Sequence, residues 1–273
     1  MAYSIGLVCS VGVGPERGGR SHNEDNYLIC QEGRISYRVA DGERTERADG
    51  AGVLLAVCDG MGGHEQGDLA STVAVRVMAK LYASGRPRDP DRALHQYVLD
   101  AHRRLHQRAV VEGRVSMGTT LTACWVLGGY ASWVQVGDSR LYLYRDGRLE
   151  CLTPDHTQRE FARRDGVTEG EEAGHLAQNF IFGSRGLGDD AELRLESGRD
   201  SGRVPLARGD RILLCTDGLW GAVDDVSVAD VLRHTPDPQA AAVACMERAI
   251  ARGSTDNISV IVARVEEPTE NGL

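Results

Sequence analysis

A chain of 273 residues with 41% hydrophobic side chains can bury one substantial core, in one large domain or two small ones. A formal net charge of −9, with no basic run long enough to follow a phosphate backbone, argues against nucleic acid as a main partner. No apolar stretch approaches the length that spans a bilayer.

In chain order, the N-terminal "MAYSIGLVCSVGVG" has no positively charged start and reads as a first strand, Ser4–Ser10, not as a signal peptide. Tyr27–Gln31 reads as a second strand and "RVADGERTERADGAG" (38–52) as a polar loop. Val53–Cys58 is a continuous apolar strand. Gly67–Ser84 places Leu69, Val73, Val77 and Leu81 on one helical face. Asp89 caps a second helix with Pro90 in its first turn and Leu94, Val98, Ala101 and Leu105 as its apolar stripe. Strands follow at Thr119–Val126, Ser132–Val136, Leu141–Tyr144 and Arg148–Cys151, the last two joined by the hairpin "YRDGRL". From Asp155 to about Gly188 the chain is charged, with a capping-box pattern at Thr168 and Glu171, and reads as a partly helical surface excursion. Strands are expected again at Glu192–Glu196, Arg211–Cys215 and Ile258–Val265. A helix opens at Asp237-Pro238 and closes at Gly253, and the residues from Glu266 form a tail.

Two helices come together and a run of strands forms hairpins, which predicts an α+β fold with antiparallel sheets and helices outside them. The seven cysteines are odd in number, contain no C-x-x-C and sit mostly in apolar runs, as expected for reduced, buried thiols in a cytoplasmic protein.

Asp-Gly occurs six times. Glycine accepts positive φ and aspartate bonds the nearby backbone, so a plain turn explains four of them. "VLLAVCDG" and "RILLCTDG" differ, because a buried strand delivers Asp59 and Asp217 to the edge of the core. A bare carboxylate there is costly unless paired, and two such acids suggest a shared cation. "GRSHNED" adds Arg20, Glu24 and Asp25, "WVQVGDSR" adds Asp138, and "GSTDNISVIV" adds Asp256 and Asn257. Alone, each of these reads as a turn, cap or solvated residue. As a set they suit hard divalent cations, with the Gly60 carbonyl able to approach an ion closely and the planar fork of Arg20 matching phosphate oxygens. Cations of this kind activate water near neutral pH.

In order, "RSHNED", "AVCDGMGGHEQG", "MGTTLTACWV", "VGDSRLYLYRDGRL", "LTPDHT", "GSRGLG", "LLCTDGLWG" and "STDNISVIV" resemble the signature series of the metal-dependent, type 2C serine/threonine protein phosphatases, in their compact bacterial branch. The resemblance implies a four-layer α-β-β-α sandwich of two antiparallel sheets, one catalytic domain over residues 1–265 with a flap near 155–188, and a tail over 266–273. It implies that Asp59 bridges two Mn2+ or Mg2+ ions with Gly60 offering its carbonyl. Asp217 and Asp256 complete one ion's shell, Glu24 serves the other, and Asp25 holds its waters. Asp138 helps to hold a third, weaker ion, and Arg20 binds the substrate phosphate; Arg20, Asp59 and Asp217 are the catalytic candidates.

The implied reaction is hydrolysis of phosphoserine and phosphothreonine on proteins, by a cytoplasmic monomer partnered by a cognate serine/threonine kinase and its substrates. Two other readings stand beside it: a non-catalytic phosphoprotein-binding regulator of the same fold, and a hydrolase of small phosphorylated molecules. Many eukaryotic relatives carry histidine where this chain has Met61, which has no proton to donate; a metal-bound water or His64 is the expected alternative. His102 and His106 have zinc-ligand spacing but are crowded by arginines, and read as a solvated helix face.

Overall fold

The computed structural model describes residues 2–40, 42–61, 65–112, 117–156, 181–183, 193 and 195–266. Two large antiparallel sheets form the body. One runs in the order β1 (Ala2–Ser10), β15 (Ile258–Glu266), β14 (Arg211–Cys215), β10 (Arg140–Arg145), β11 (Arg148–Cys151). The other runs β13 (Ser201–Pro205), β9 (Tyr130–Val136), β8 (Leu121–Leu127), β5 (Val53–Cys58), β2 (Asn26–Gln31), β3 (Arg34–Val39), β4 (Gly42–Arg47). A small sheet joins β12 (Ile181–Gly183), β7 (Met117–Thr119) and β6 (Gly60–Met61).

The uninterrupted apolar strands are explained by burial on both faces. Along β5, Leu54, Ala56 and Cys58 pack in one cluster with residues of α1 (Glu65–Ala83) and α2 (Pro90–Glu112). Val53, Leu55 and Val57 pack in another against Leu141, Ile212, Leu214 and Ile261 of the facing sheet. β14 mirrors this: Ile212 and Leu214 meet the sheet of β5, while Leu213 and Cys215 pack on helices α4 (Asp225–His234) and α5 (Pro238–Ala251). Successive side chains of a strand alternate faces, so three core clusters separate four layers, helix, sheet, sheet, helix. This is the predicted α+β sandwich.

The helices start where the sequence places them: the Asp89 carboxylate accepts from the Arg92 amide (3.1 Å) and the Asp237 carboxylate from the Ala240 amide (2.7 Å). The "YRDGRL" hairpin closes with Arg145 opposite Arg148 and positive φ at Asp146 (50°) and Gly147 (78°), the backbone of a tight two-residue turn.

Five expectations change. The polar loop at 38–52 contains a strand, β4, paired along β3. It is an exposed edge, so it carries charge instead of an apolar alternation, and its glutamates accept from the hydroxyls of Tyr27 (Glu43, 2.5 Å) and Tyr37 (Glu46, 3.0 Å). No strand covers Leu193, Leu195 or Glu196; the edge strand beside β9 is Ser201–Pro205, ending in a proline tolerated only at an edge. Thr119–Val126 divides at Thr120, where the chain leaves the small sheet for the large one. α4 was not anticipated, although Asp224 caps it through the Ser227 amide (2.8 Å) and Val228, Val231 and Leu232 form its buried stripe. His102 is buried, at 8% exposure, not solvated. Most of the excursion, with Thr168, Glu171, Ser184 and Gly186, lies outside the described residues, as do His64 and positions 267–273.

Candidate active site

Asp59 follows β5 and Asp217 follows β14, so the central strands of the two facing sheets each end in a carboxylate at one end of the sandwich. The two acids come within hydrogen-bonding reach of each other. Burial raises the Asp59 carboxyl well above the usual carboxylate range, and the charges of Asp25, Asp217, Asp138 and Asp256 push it further. Burial followed by Asp256 raises Asp217. Burial followed by Asp217 pushes Asp138 up to about 7. Burial likewise pushes Asp25 up to about 7, against two hydroxyl hydrogen bonds that favour its charged form. Five acids remote in sequence thus share one electrostatic environment.

Each acid is placed by a specific neighbour. The Asp59 amide donates to Thr120 Oγ1 (2.8 Å), and its carbonyl accepts from the Thr120 amide (2.8 Å) and Thr119 Oγ1 (2.9 Å). Asp25 Oδ2 accepts from Thr216 Oγ1 and Ser259 Oγ, both at 2.8 Å, tying β2 to β14 and β15. Glu24 is held through its backbone: its amide donates to Asn257 Oδ1 (2.9 Å) and its carbonyl accepts from Ser71 Oγ (2.7 Å). Its carboxylate lies against Gly67. Gly60 sits so close to the carbonyl oxygens of Gly67 and Glu24 that a side chain would collide with backbone. Arg38 braces the loop from behind, donating to the carbonyls of Asn23 (2.8 Å) and Asp25 (2.9 Å) and pairing with Asp68.

Arg20 stands at the exposed rim and engages Asp256 side-on, Nε to Oδ1 at 2.9 Å and Nη2 to Oδ2 at 2.9 Å. Asp138 occupies the turn after β9, between Gly137 and Ser139. Met61 lies in the short strand following Gly60, partly buried.

Among the described residues no three His, Cys, Asp or Glu side chains close into a compact ligand cage. The acids are linked instead by pairwise repulsion, and buried Oδ1 atoms of Asp25 and Asp217 have no hydrogen-bond partner. Concentrated negative charge with unpaired oxygen donors is relieved by protons or by cations. The donors are hard oxygens, the set a magnesium- or manganese-type ion prefers.

Thr120, Thr216 and Ser259 were not picked out as functional from sequence, although all three lie within the quoted motifs. The available signal was a hydroxyl or amide beside an acid at a strand end, which acquires meaning only when its partner is known. Cys58 and Cys215, close before the two special acids, are fully buried and their thiols are raised well above the ordinary range by burial, as packing residues are.

Gly137 has φ 103°, and a side chain would bring its first carbon to 2.5 Å from Thr120 Cγ2. Gly137→Ala is therefore expected to cost about 2 kcal/mol or more of stability, measured by urea unfolding.

A family model described as protein phosphatase 2C matches residues 19–249. The serine/threonine protein phosphatase PstP of Mycobacterium tuberculosis is 34% identical over 215 residues, covering 78% of this chain and 40% of that protein. This chain therefore spans under half the length of that relative. The serine/threonine phosphatase stp of Listeria welshimeri is 29% identical over 249 residues, covering 89% of this chain and 90% of that protein. Among solved structures, the catalytic domain of PstP in complex with two manganese ions matches with a TM-score of 0.74 at 28% identity, covering 97% of this chain and 99% of that one.

Proposed function

The chain belongs to the protein phosphatase 2C family, and from that premise we propose that it is a protein serine/threonine phosphatase, hydrolysing phosphoserine and phosphothreonine with two manganese or magnesium ions at its carboxylate cluster. The observation that carries this reading is the meeting of Asp59 and Asp217 at the ends of facing central strands, with Asp25, Asp138 and Asp256 in the same electrostatic environment. The two manganese ions in the PstP catalytic domain support the ion count.

In this reading Asp59 and the Gly60 carbonyl would help to hold both ions. Asp217 and Asp256 would serve one ion, Glu24 the other, and Asp138 a third, weaker one. Asp25, its orientation fixed by Thr216 and Ser259, positions water from behind. When bound, the ions lower the pKa of water toward neutrality and offset charge on the phosphoryl oxygens. Met61 has no proton to give, so it does not act as the general acid. The chain acts as a cytoplasmic monomer on phosphoproteins made by a cognate serine/threonine kinase; among its described helices none is long and apolar enough to cross a membrane.

The Arg20 fork presents to Asp256 the geometry that also fits two phosphate oxygens. A phosphate group would compete with that carboxylate for the Arg20 fork. Arg20→Ala is expected to raise KM for an aryl phosphate by about 10-fold or more, and Arg20→Lys to recover only part of the loss. Steady-state kinetics at saturating manganese reads both.

The test of the function is hydrolysis of an aryl phosphate and of phosphothreonine peptides with manganese, then with chelator. Turnover of both substrates is expected, and it should collapse on chelation. Undiminished turnover in chelator would remove the basis of the reading, and turnover of the aryl phosphate alone would point to a small-molecule hydrolase.

A further inference from the structure

His156 and Asp200 form a buried pair that the proposed reaction does not use. Both are fully inaccessible, with His156 Nε2 3.0 Å from Asp200 Oδ1. The other ring nitrogen, Nδ1, lies 3.1 Å from the Gly137 amide nitrogen. A backbone amide can only donate, so Nδ1 accepts and the ring proton sits on Nε2, directed at Asp200. The His156 amide in turn donates to the Gly137 carbonyl (2.9 Å). One histidine thus grips both polar groups of the residue immediately before Asp138.

Gly137 needs such a grip. It has positive φ and no side chain of its own to hold the turn. Gln135 adds a second contact, its Nε2 donating to the Gly137 carbonyl (2.8 Å) and to the Pro154 carbonyl (2.8 Å). Asp200 is itself fixed, with Oδ2 accepting from the Glu196 amide (2.9 Å) and its carbonyl from the Gln135 amide (2.8 Å). On the other side of Asp138, Ser139 Oγ lies 2.7 Å from Thr120 Oγ1, the atom that accepts from the Asp59 amide. Thr122 Oγ1 donates to the Ser139 carbonyl (2.8 Å). Asp138 is therefore suspended between two anchors, one leading to Asp59 and the other to the His156–Asp200 pair.

We infer that His156 is a positioning residue, which sets the Asp138 turn through the Gly137 amide in the tautomer that Asp200 selects. This rests on the proposed function only in taking Asp138 as a cation ligand. A buried histidine that merely fills space would support stability without favouring one ring nitrogen over the other. The geometry assigns different work to the two nitrogens.

Two half-replacements separate the cases. His156→Asn keeps an acceptor near the Nδ1 position and gives up Asp200. His156→Gln keeps a donor near the Nε2 position and gives up the acceptor for Gly137. The full chain is titrated with manganese by calorimetry, its thermal midpoint is taken in chelator, and the manganese dependence of aryl phosphate hydrolysis is recorded.

His156→Gln is expected to weaken the weakest manganese site by about 10-fold or more, as Asp138→Asn does, and to add nothing in the double variant. His156→Asn is expected to stay within about threefold of the parent while losing a similar amount of thermal midpoint. Manganese affinities that fall equally in both variants, or effects of His156→Gln and Asp138→Asn that add in full, would overturn the inference. If His156→Gln does not fold, the comparison of His156→Asn with Asp138→Asn decides: parental manganese binding upholds the assignment, and matching losses overturn it. A parent chain that binds manganese and turns over substrate while His156→Gln changes neither defeats this inference alone. A parent that does neither defeats the proposed function with it.

Discussion

Asp217→Asn is expected to lower kcat/KM for an aryl phosphate by about 10²–10³-fold, the scale of losing one electrostatic stabiliser from an active site, while raising the thermal midpoint measured in chelator. The two effects have one cause. Asp217 is raised by burial and by Asp256, approaches Asp59, and leaves a buried Oδ1 without a partner. In the metal-free chain its charge is a liability that the isosteric amide removes without altering shape. With cations present the same charge is an attraction, and the amide forfeits it. An acid that served only in the first turn of the short helix α3 (Asp217–Trp220) would show little change in rate. Parental turnover in Asp217→Asn would therefore contradict the assignment.

Stability in chelator is expected to fall as pH rises from about 4 to about 7, and manganese is expected to reverse the fall. Asp25 and Asp138 are each pushed up to about 7 by burial, and Asp59 is also raised. A carboxyl that titrates higher in the folded chain than in the unfolded one keeps its proton longer when folded. Between the two values the folded state binds more protons, so stability drops with rising pH, and it levels off once the folded groups have ionised. For Asp25 and Asp138 the swing is on the order of 4 kcal/mol each.

Manganese competes with protons for these oxygens, so its stabilising effect grows as they ionise. At about a thousand times its dissociation constant an ion contributes about 4 kcal/mol by mass action. For a chain of this size that corresponds to roughly 10 °C in thermal midpoint. Thermal scans from about pH 5 to about pH 8, with chelator and with manganese, read both trends. A midpoint in chelator that rises across this interval would mean that the acids do not share one buried field.

Much of the architecture was legible because its causes are local. Apolar runs with no alternation announced strands covered on both faces, and β5 and β14 are so covered. Asp89 and Asp237 announced helix starts, and each accepts from an amide three residues on. The misses share a cause too. The strand "GERTER" has no apolar face, and what makes it a strand is its pairing with β3 and the two tyrosine hydroxyls that reach its glutamates. Ser201–Pro205 is likewise an edge defined by β9, not by its own side chains. The helix at Asp225–His234 carries its own local signal in the Asp224 cap and the spacing of Val228, Val231 and Leu232.

The same division holds at the site. Local order determined which residues carry charge to strand ends: Asp59 after one buried run, Asp217 after another, and the motif series that pointed to the family. Only the tertiary structure decided that these two acids meet across facing sheets, that Thr216 and Ser259 fix Asp25, that Arg20 engages Asp256, and that His156 holds the turn before Asp138 with Asp200 behind it. The physical reason is range. Strand, cap and turn preferences act over a few neighbouring residues, whereas hydrogen bonds and carboxylate repulsion act between groups that only the stacking of the sheets brings within a few ångströms.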